Sequence, residues 1–407
     1  MNNHTTTSDG LSGLRVALVH YWYVSRRGGE RVLEVLADMF PQADVFVLLH
    51  DPDALTAPLK SHRITSSFLQ KFPYVKKYYR SLLPLYPLAL EQLRLDDYDL
   101  VVSQEAGPAK GVITRAATCH VCYCHSPMRY LWDMYHDYKA ATPLGIVGRA
   151  AYSLAAHYVR QWDYATASRV DHFIASSENG ARRIRKYYGR SSDVIYPPVD
   201  VNAFSVADAH DDYYLVVSPL VAYKRIDLAV EACNQLGRRL TIVGEGPEKA
   251  ALQKIAGPSV EFIGYQPDSV VRALYRRCRA FLFPGEEDIG LTPIEAQASG
   301  RPVIAFGRGG ALETVVGAFR GTISANQATG IFFDEQTVKS LREAILAFER
   351  IEDGFSSRFI RAQVDRFDTR HFVGKMRKFI AEKFEEHQAL TELSAHSLSF
   401  MTDQPDL

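Results

Sequence analysis

Short runs of Val, Ile and Leu alternate along this chain with stretches whose apolar residues recur every three or four positions. LRVALVHYW (14–22) reads as a strand, and GGERVLEVLADMF (28–40) follows with helical period. DVFVLL (44–49), DLVVS (99–103), HVCYC (120–124) and HFIASS (172–177) continue the strand series. The segment GRSSDVIYPPVDVNAF (189–204) breaks the pattern with a Pro-Pro pair and reads as an interdomain linker. A second strand series opens beyond it: YYLVVS (213–218), RLTIVG (239–244), VEFIG (260–264), AFLFP (280–284) and PVIAF (302–306). Helical patterns intervene at IDLAVEACNQL, EKAALQKIA, DSVVRALYRRC and TPIEAQAS. Strand–helix alternation of this kind marks parallel α/β sheets. The expected fold is α/β, with two Rossmann-like, doubly wound domains facing a cleft. Their expected bounds are 1–196 and 197–370, followed by a C-terminal helix over 371–387 that returns to the first domain. The tail over 388–407 is expected to be flexible.

A length of 407 residues with 47% hydrophobic and 23% charged positions supports two well-packed domains and excludes a disordered chain. Lys plus Arg and Asp plus Glu both number 47, so no global charge points to nucleic acid. The polar start MNNHTTTSDGLSG lacks the apolar core of a signal peptide, and no apolar run reaches the ~20 residues of a spanning helix. Five cysteines without a disulfide-like spacing fit a reducing compartment. These features predict a cytoplasmic protein, one that can touch a membrane surface. From Ala54 to Leu90 there is no acidic residue, while Lys76, Lys77 and Arg80 stand among aromatics in FPYVKKYYRSLLPLYP. Cations mixed with interfacial aromatics suit an anionic lipid face; the alternative is a solvated surface.

The chemistry concentrates in PGEEDIGLTPIEAQASGRP (284–302). A strand ends at Pro284, and Thr292-Pro293 begins a helix, which puts Glu287 in the loop and Glu295 on the helix's first turn. Backbone N–H groups at Ile289, Gly290 and Leu291 then face the space between two acids. A helix N-terminus at the end of a parallel strand binds a diphosphate, and carboxylates beside it are useful if they accept hydroxyl protons from attached sugars. The pattern therefore suits a nucleotide sugar: Glu287 on the transferred sugar, Glu295 on the ribose, backbone on the phosphates. Otherwise Glu295 complements the helix dipole and Glu287 is solvated. Lys224 and Arg225 follow another strand directly before a helix, where cations can meet a leaving diphosphate. Gly28 and Gly29 after the first strand permit close backbone approach. CHVCYCHSPMRYLWD (119–133) has no C-x2-C spacing, so Cys122 and Cys124 are expected in the core, with His125 at the strand's end.

Taken in order, YKRIDLAVEA, VGEGPE and the stretch from Glu287 through GLTPIEAQASGRPVIAFGRGGALETV resemble family 4 of the retaining nucleotide-sugar glycosyltransferases, of GT-B architecture, over Arg15 to about Phe384. The resemblance implies an acceptor-binding first domain and a donor-binding second domain. It implies that Glu295 binds the ribose and Glu287 the sugar, that Lys224 and Arg225 neutralise the diphosphate, and that Gly29 lies near it. His125 would be the family's histidine near the sugar, and Gly264, Tyr265 and Gln266 would approach the base. No cofactor or metal is implied, and no Asp-x-Asp motif lies beside these residues. Ser218-Pro219-Leu220 stands where the family commonly has a GRL-like turn with an arginine, so either Arg225 replaces that arginine or the diphosphate is neutralised more weakly than is usual in the family. YCHSPMRYLWD is similar to bacterial mannosyltransferases that build surface polysaccharides such as lipopolysaccharide and exopolysaccharide. It implies GDP-mannose as donor and a lipid-linked saccharide as acceptor. Competing readings are a UDP-sugar donor, a retaining glycosidase using the two glutamates, and a non-catalytic nucleotide-sugar-binding protein.

Overall fold

The computed structural model describes residues 10–26, 28–105, 107–141, 145–207, 209–318 and 324–402. Most of the polar start and the last five residues lie outside this set. The chain divides into two compact units. One comprises residues to Ser176, Gly180–Tyr196 and Phe372 onward; the other comprises Ser177–Asn179 and Pro197–His371.

The first unit is built on a seven-stranded parallel sheet of β1 (Val16–Tyr23), β2 (Asp44–His50), β3 (Ile64–Ser66), β4 (Leu100–Glu105), β5 (Cys119–Cys124), β6 (His172–Ala175) and β7 (Asp193–Val194). The spatial order β3-β2-β1-β4-β5-β6-β7 reverses direction between β1 and β4. β1 is apolar almost throughout because both of its faces are covered. Helix Gly28–Met39 buries Val32, Leu33, Leu36 and Ala37 against it, a stripe at helical spacing.

The second unit carries six parallel strands: β8 (Tyr214–Val217), β9 (Leu240–Val243), β10 (Val260–Gly264), β11 (Ala280–Phe283), β12 (Val303–Phe306) and β13 (Gly330–Phe333). Their order, β10-β9-β8-β11-β12-β13, reverses between β8 and β11. Open sheets of this kind receive ligands at the strands' carboxyl ends, beside that reversal. Helix Ile226–Leu236 packs Ala229, Val230 and Cys233 on this sheet's core.

The C-terminal helix runs over Thr369–Thr402 and so does not stop near 387. QALTELSAHSLSFMT contains neither Gly nor Pro, and the first proline beyond it is Pro405, so nothing breaks the helix. Only 403–407 of the expected tail lies outside the described residues. From the helix's first half Phe372, Met376, Phe379, Ile380 and Phe384 enter the first unit's core. Each such side chain stabilises the return by ~1.5–3 kcal/mol if fully buried.

Candidate functional site

In the second unit, two loops at the β8/β11 reversal bring Lys224 and Glu287 together. Lys224 closes the 3-10 turn Ala222–Lys224 after β8, and Glu287 lies in the loop after β11. The Lys224 ammonium donates to a Glu287 carboxylate oxygen, with side chains 11% and 22% exposed. A contact this sheltered from water holds both loops in register. Arg225 behaves differently. It sits at φ 51°, ψ 40°, a left-handed conformation rare outside glycine. Its guanidinium grips Asp227 through Nε (3.1 Å) and the terminal nitrogen (2.9 Å). Arg225 therefore occupies the N-cap position of helix Ile226–Leu236 without a side-chain capping bond and spends its charge on Asp227. The structure does not bring it to Glu287 as it does Lys224.

Helix Leu291–Ala298 begins one turn after Glu287, with Gly290 at its N-cap at φ 76°. Because it starts at Leu291, Glu295 falls on the second turn and not, as expected, on the first. Glu295 is buried, and the hydroxyl of fully buried Tyr275 donates to it at 3.1 Å. The loop between the acids is braced from β12. Gly310 donates its N–H to the Glu287 carbonyl at 2.8 Å, and a Cβ there would lie 2.3 Å from the Ile289 Cα. Only glycine fits. Tyr275 and Gly310 escaped the sequence reading; the Gly309-Gly310 doublet after a strand was the available signal. Gly264, at φ 70°, ends edge strand β10, followed by exposed Tyr265, and Gln266 donates back to the Ile263 carbonyl at 2.6 Å.

In the first unit, the ends of β1, β4 and β5 gather Gly29, Gln104, His20 and His125. The Gln104 amide nitrogen donates to the Gly29 carbonyl at 2.9 Å and also meets His125 Nε2. The Gly29 carbonyl can only accept, so it fixes the amide with its nitrogen inward. His125 Nε2 must then accept, and the ring carries its proton on Nδ1. Burial, reinforced by His20, pushes His125 down to about 3, and burial pushes His20 down to about 4. Both rings are neutral at pH 7. His125 is thus a fixed hydrogen-bonding group and not a charged acid. His20 Nε2 and Gln104 Oε1 are buried without a protein hydrogen-bond partner. A Cβ on Gly29 would meet Tyr21, Gln104 and His125 at 3.4–3.7 Å, ordinary contact distances. The fold itself tolerates alanine there. Gln104 was missed because a lone glutamine ending an apolar strand carries no motif; its polarity at a strand's carboxyl end was the only signal.

The buried histidines set a pH dependence. An unfolded imidazole binds a proton near ~6.5, whereas His125 resists to about 3 and His20 and His120 to about 4. Between these values the unfolded chain holds more protons. Stability is therefore complete above pH ~6.5 and falls as pH drops, by up to ~1.4 kcal/mol per unit per histidine. The thermal midpoint should decline from pH 7 toward 4.5; a midpoint that rises over that interval contradicts the burial argument.

Cys122 and Cys124 pack with Phe173 and Ile184, as expected of core residues. One group among the described residues has metal-ligand geometry: Cys119, Asp171 and His387, with ligand atoms within 4.8 Å of one another. Cys119 opens β5, so the group lies at the strand's opposite end from His125. Burial, with the Asp171 charge adding to it, pushes the Cys119 thiol up to about 12.

Of the membrane-facing candidates, Lys76 is tied to Asp51 at 2.5 Å. Lys77 lies over the Tyr78 ring at 5.2 Å and Arg80 over Tyr79 at 5.4 Å. No helix among the described residues is long and apolar enough to cross a membrane.

Residues 26–203 match the family described as Glycosyltransferase Family 4, and 202–363 match Glycosyl transferases group 1. Glycogen synthase 1 of Rhizobium radiobacter is 30% identical over 152 residues, 35% of this chain and 32% of that protein. The chain thus spans about a third of that relative's length. Alpha-1,3/1,6-mannosyltransferase ALG2 of Homo sapiens is 24% identical over 338 residues, covering 72% of this chain and 77% of the relative. Among solved structures, Anabaena HepE in complex with UDP superposes with a TM-score of 0.67 at 15% identity, over 91% of this chain and 100% of that one. The fold is of GT-B type: two parallel-sheet α/β domains, with the family 4 region first and the group 1 region second.

Proposed function

From the two family regions and the strand-end geometry, we propose that this protein is a retaining glycosyltransferase that moves a hexose from a nucleoside diphosphate. The observation that carries the proposal is the Lys224–Glu287 pair at the β8/β11 reversal, followed directly by the N-terminus of helix Leu291–Ala298. One cation, one carboxylate and a row of backbone donors suit a diphosphate joined to a sugar. A glycosidase would leave Lys224 and the helix N-terminus without a task.

In this reading Glu287 accepts hydrogen bonds from the transferred hexose and Glu295, oriented by Tyr275, from the ribose. Bond cleavage builds positive charge at the anomeric carbon and negative charge on the departing phosphate. Lys224 and the N–H groups at Gly290 and Leu291 stabilise the phosphate oxygens; one such donor is worth ~3–4 kcal/mol. Arg225, engaged by Asp227, supports the Lys224 turn. The departing phosphate takes the acceptor's proton on the same face, so configuration is kept. Neutral His125 contributes a fixed Nδ1–H donor for a sugar hydroxyl. Gly264, Tyr265 and Gln266 are assigned to the base.

GDP-mannose is the proposed donor, supported by the YCHSPMRYLWD block and by the similarity to ALG2 along most of the chain. A UDP-sugar is the second reading. A lipid-linked saccharide is the proposed acceptor, met at an anionic membrane through Lys77 and Arg80, Lys76 being held by Asp51. Thermal shift against GDP, UDP, ADP and their sugars tests the donor: at 100 times its dissociation constant a ligand adds ~2.7 kcal/mol. GDP and GDP-mannose should give the largest shifts; a larger shift with UDP species transfers the proposal to the second reading, and none with any nucleotide ends it.

Transfer should also survive EDTA, because Lys224 supplies the cation on the leaving group. Activity lost to the chelator and restored by Mg²⁺ or Mn²⁺ contradicts that assignment.

A further inference from the structure

Helix Ile146–Thr166 has two apolar faces and only one of them is covered. Ala156 and Val159 pack with Met128 and Leu131, and Leu83 joins the same cluster. On the outward side Ile146 is 91% exposed, Val147 83%, Leu154 73% and Tyr158 53%. Positions 147, 151, 154 and 158 follow helical spacing, so Val147, exposed Ala151, Leu154 and Tyr158 form one stripe. A contiguous apolar stripe of this length is uncommon on a surface that meets only water.

Charge identifies what covers it. The helix holds a single acid, Asp163, and that side chain is fully buried. Its neighbour through Leu83 is the acid-free run Ala54–Leu90, where Phe72, Tyr74, Tyr78 and Leu88 are also exposed. Two elements distant in sequence, both without an exposed carboxylate, thus pack side by side. A second copy of this face would set Lys77 and Arg80 against like charges. An anionic bilayer attracts both. At ~1.5 Å per residue the helix is ~30 Å long, yet no described helix is apolar enough to span a membrane. It suits the interfacial plane, apolar stripe down.

We propose that the outward face of helix Ile146–Thr166 inserts into the headgroup–acyl boundary of an anionic phospholipid bilayer, beside the cations Lys77 and Arg80. This rests on the membrane reading above and adds the element that penetrates.

All five native cysteines are buried, so a thiol-reactive, polarity-sensitive fluorophore can be directed to Leu154→Cys in the full chain. With equimolar phosphatidylglycerol and phosphatidylcholine vesicles its emission should shift to the blue, and with pure phosphatidylcholine it should shift less. The variant Ile146→Ser/Val147→Ser/Leu154→Ser should partition onto the mixed vesicles at least about tenfold less than wild type, with its melting response to nucleotides unchanged. An unshifted probe on a vesicle-bound protein overturns the inference while leaving docking by Lys77 and Arg80 standing, as a Lys77→Ser/Arg80→Ser variant would then show. A triple variant that binds vesicles normally but turns a wild-type dimer into a monomer in light scattering overturns it in favour of a second copy. A wild-type chain that ignores anionic vesicles overturns both the inference and the membrane reading.

Discussion

Glu287→Gln should lower sugar transfer at least about a hundredfold while leaving the affinity for free nucleoside diphosphate unchanged or tighter. Glu287 is assigned to the hexose alone, and the charge it contributes matters most as the anomeric centre becomes positive, where one preorganised contact is worth about 10²–10³ in turnover. The glutamine keeps the shape but releases Lys224 from its carboxylate partner. That cation is then freer to meet a phosphate, so nucleotide binding has no reason to weaken. Glu295→Ala should do the opposite, weakening nucleotide binding about tenfold or more through loss of a charged hydrogen bond. Calorimetry with GDP beside an activity assay separates the two; equal loss of nucleotide affinity in both variants contradicts the assignment.

Lys110→Ala should cost about 3–5 kcal/mol of stability, the largest loss we expect from a residue remote from either strand-end site. Lys110 and Asp163 are both fully buried and hydrogen-bonded to each other. Asp163 also accepts from the Trp132 indole at 2.7 Å and the Tyr188 hydroxyl at 3.0 Å, and Lys110 lies 4.5 Å from the centre of the Tyr188 ring. Removing the cation leaves a carboxylate with neutral donors only, in a site closed to water. Denaturant titration should show the loss as a lower midpoint at unchanged slope. A loss under about 1 kcal/mol would mean the site admits water or the carboxylate takes up a proton.

Alternation of buried strands with helical stripes was enough to read the doubly wound sheets, because parallel strands covered on both faces are apolar almost throughout. Segments too short to carry a period escaped it: Ile64–Ser66 and Asp193–Val194 are strands only because a neighbouring strand pairs with them. Helix Ile146–Thr166 went unread for a different reason. Apolar residues on two faces blur the stripe that marks a helix buried on one side.

Glu287, Lys224, Gly29 and His125 could be singled out as candidates because they follow strand runs in the sequence, and Glu295 because Thr292-Pro293 marks a helix start. Their partners could not. Which residue meets Lys224 depends on β8 and β11 becoming neighbours, although Lys224 and Glu287 lie far apart in sequence. The same holds for Gln104 orienting His125 and Tyr275 orienting Glu295. Arg225 shows the reverse hazard: adjacent to Lys224 in sequence, it is turned by its left-handed backbone toward Asp227.

Transfer from a nucleotide sugar with retention of configuration can be read from proton NMR of the first-formed product. The full chain is incubated with GDP-mannose, then with UDP-glucose and ADP-glucose, and the anomeric signal is followed before mutarotation scrambles it, with water as acceptor if no saccharide is supplied. GDP-mannose should be consumed and the product should keep the donor's own anomeric configuration, with both signals lost in Glu287→Gln. A product of inverted configuration, or no consumption of any of the three donors, would contradict transfer with retention.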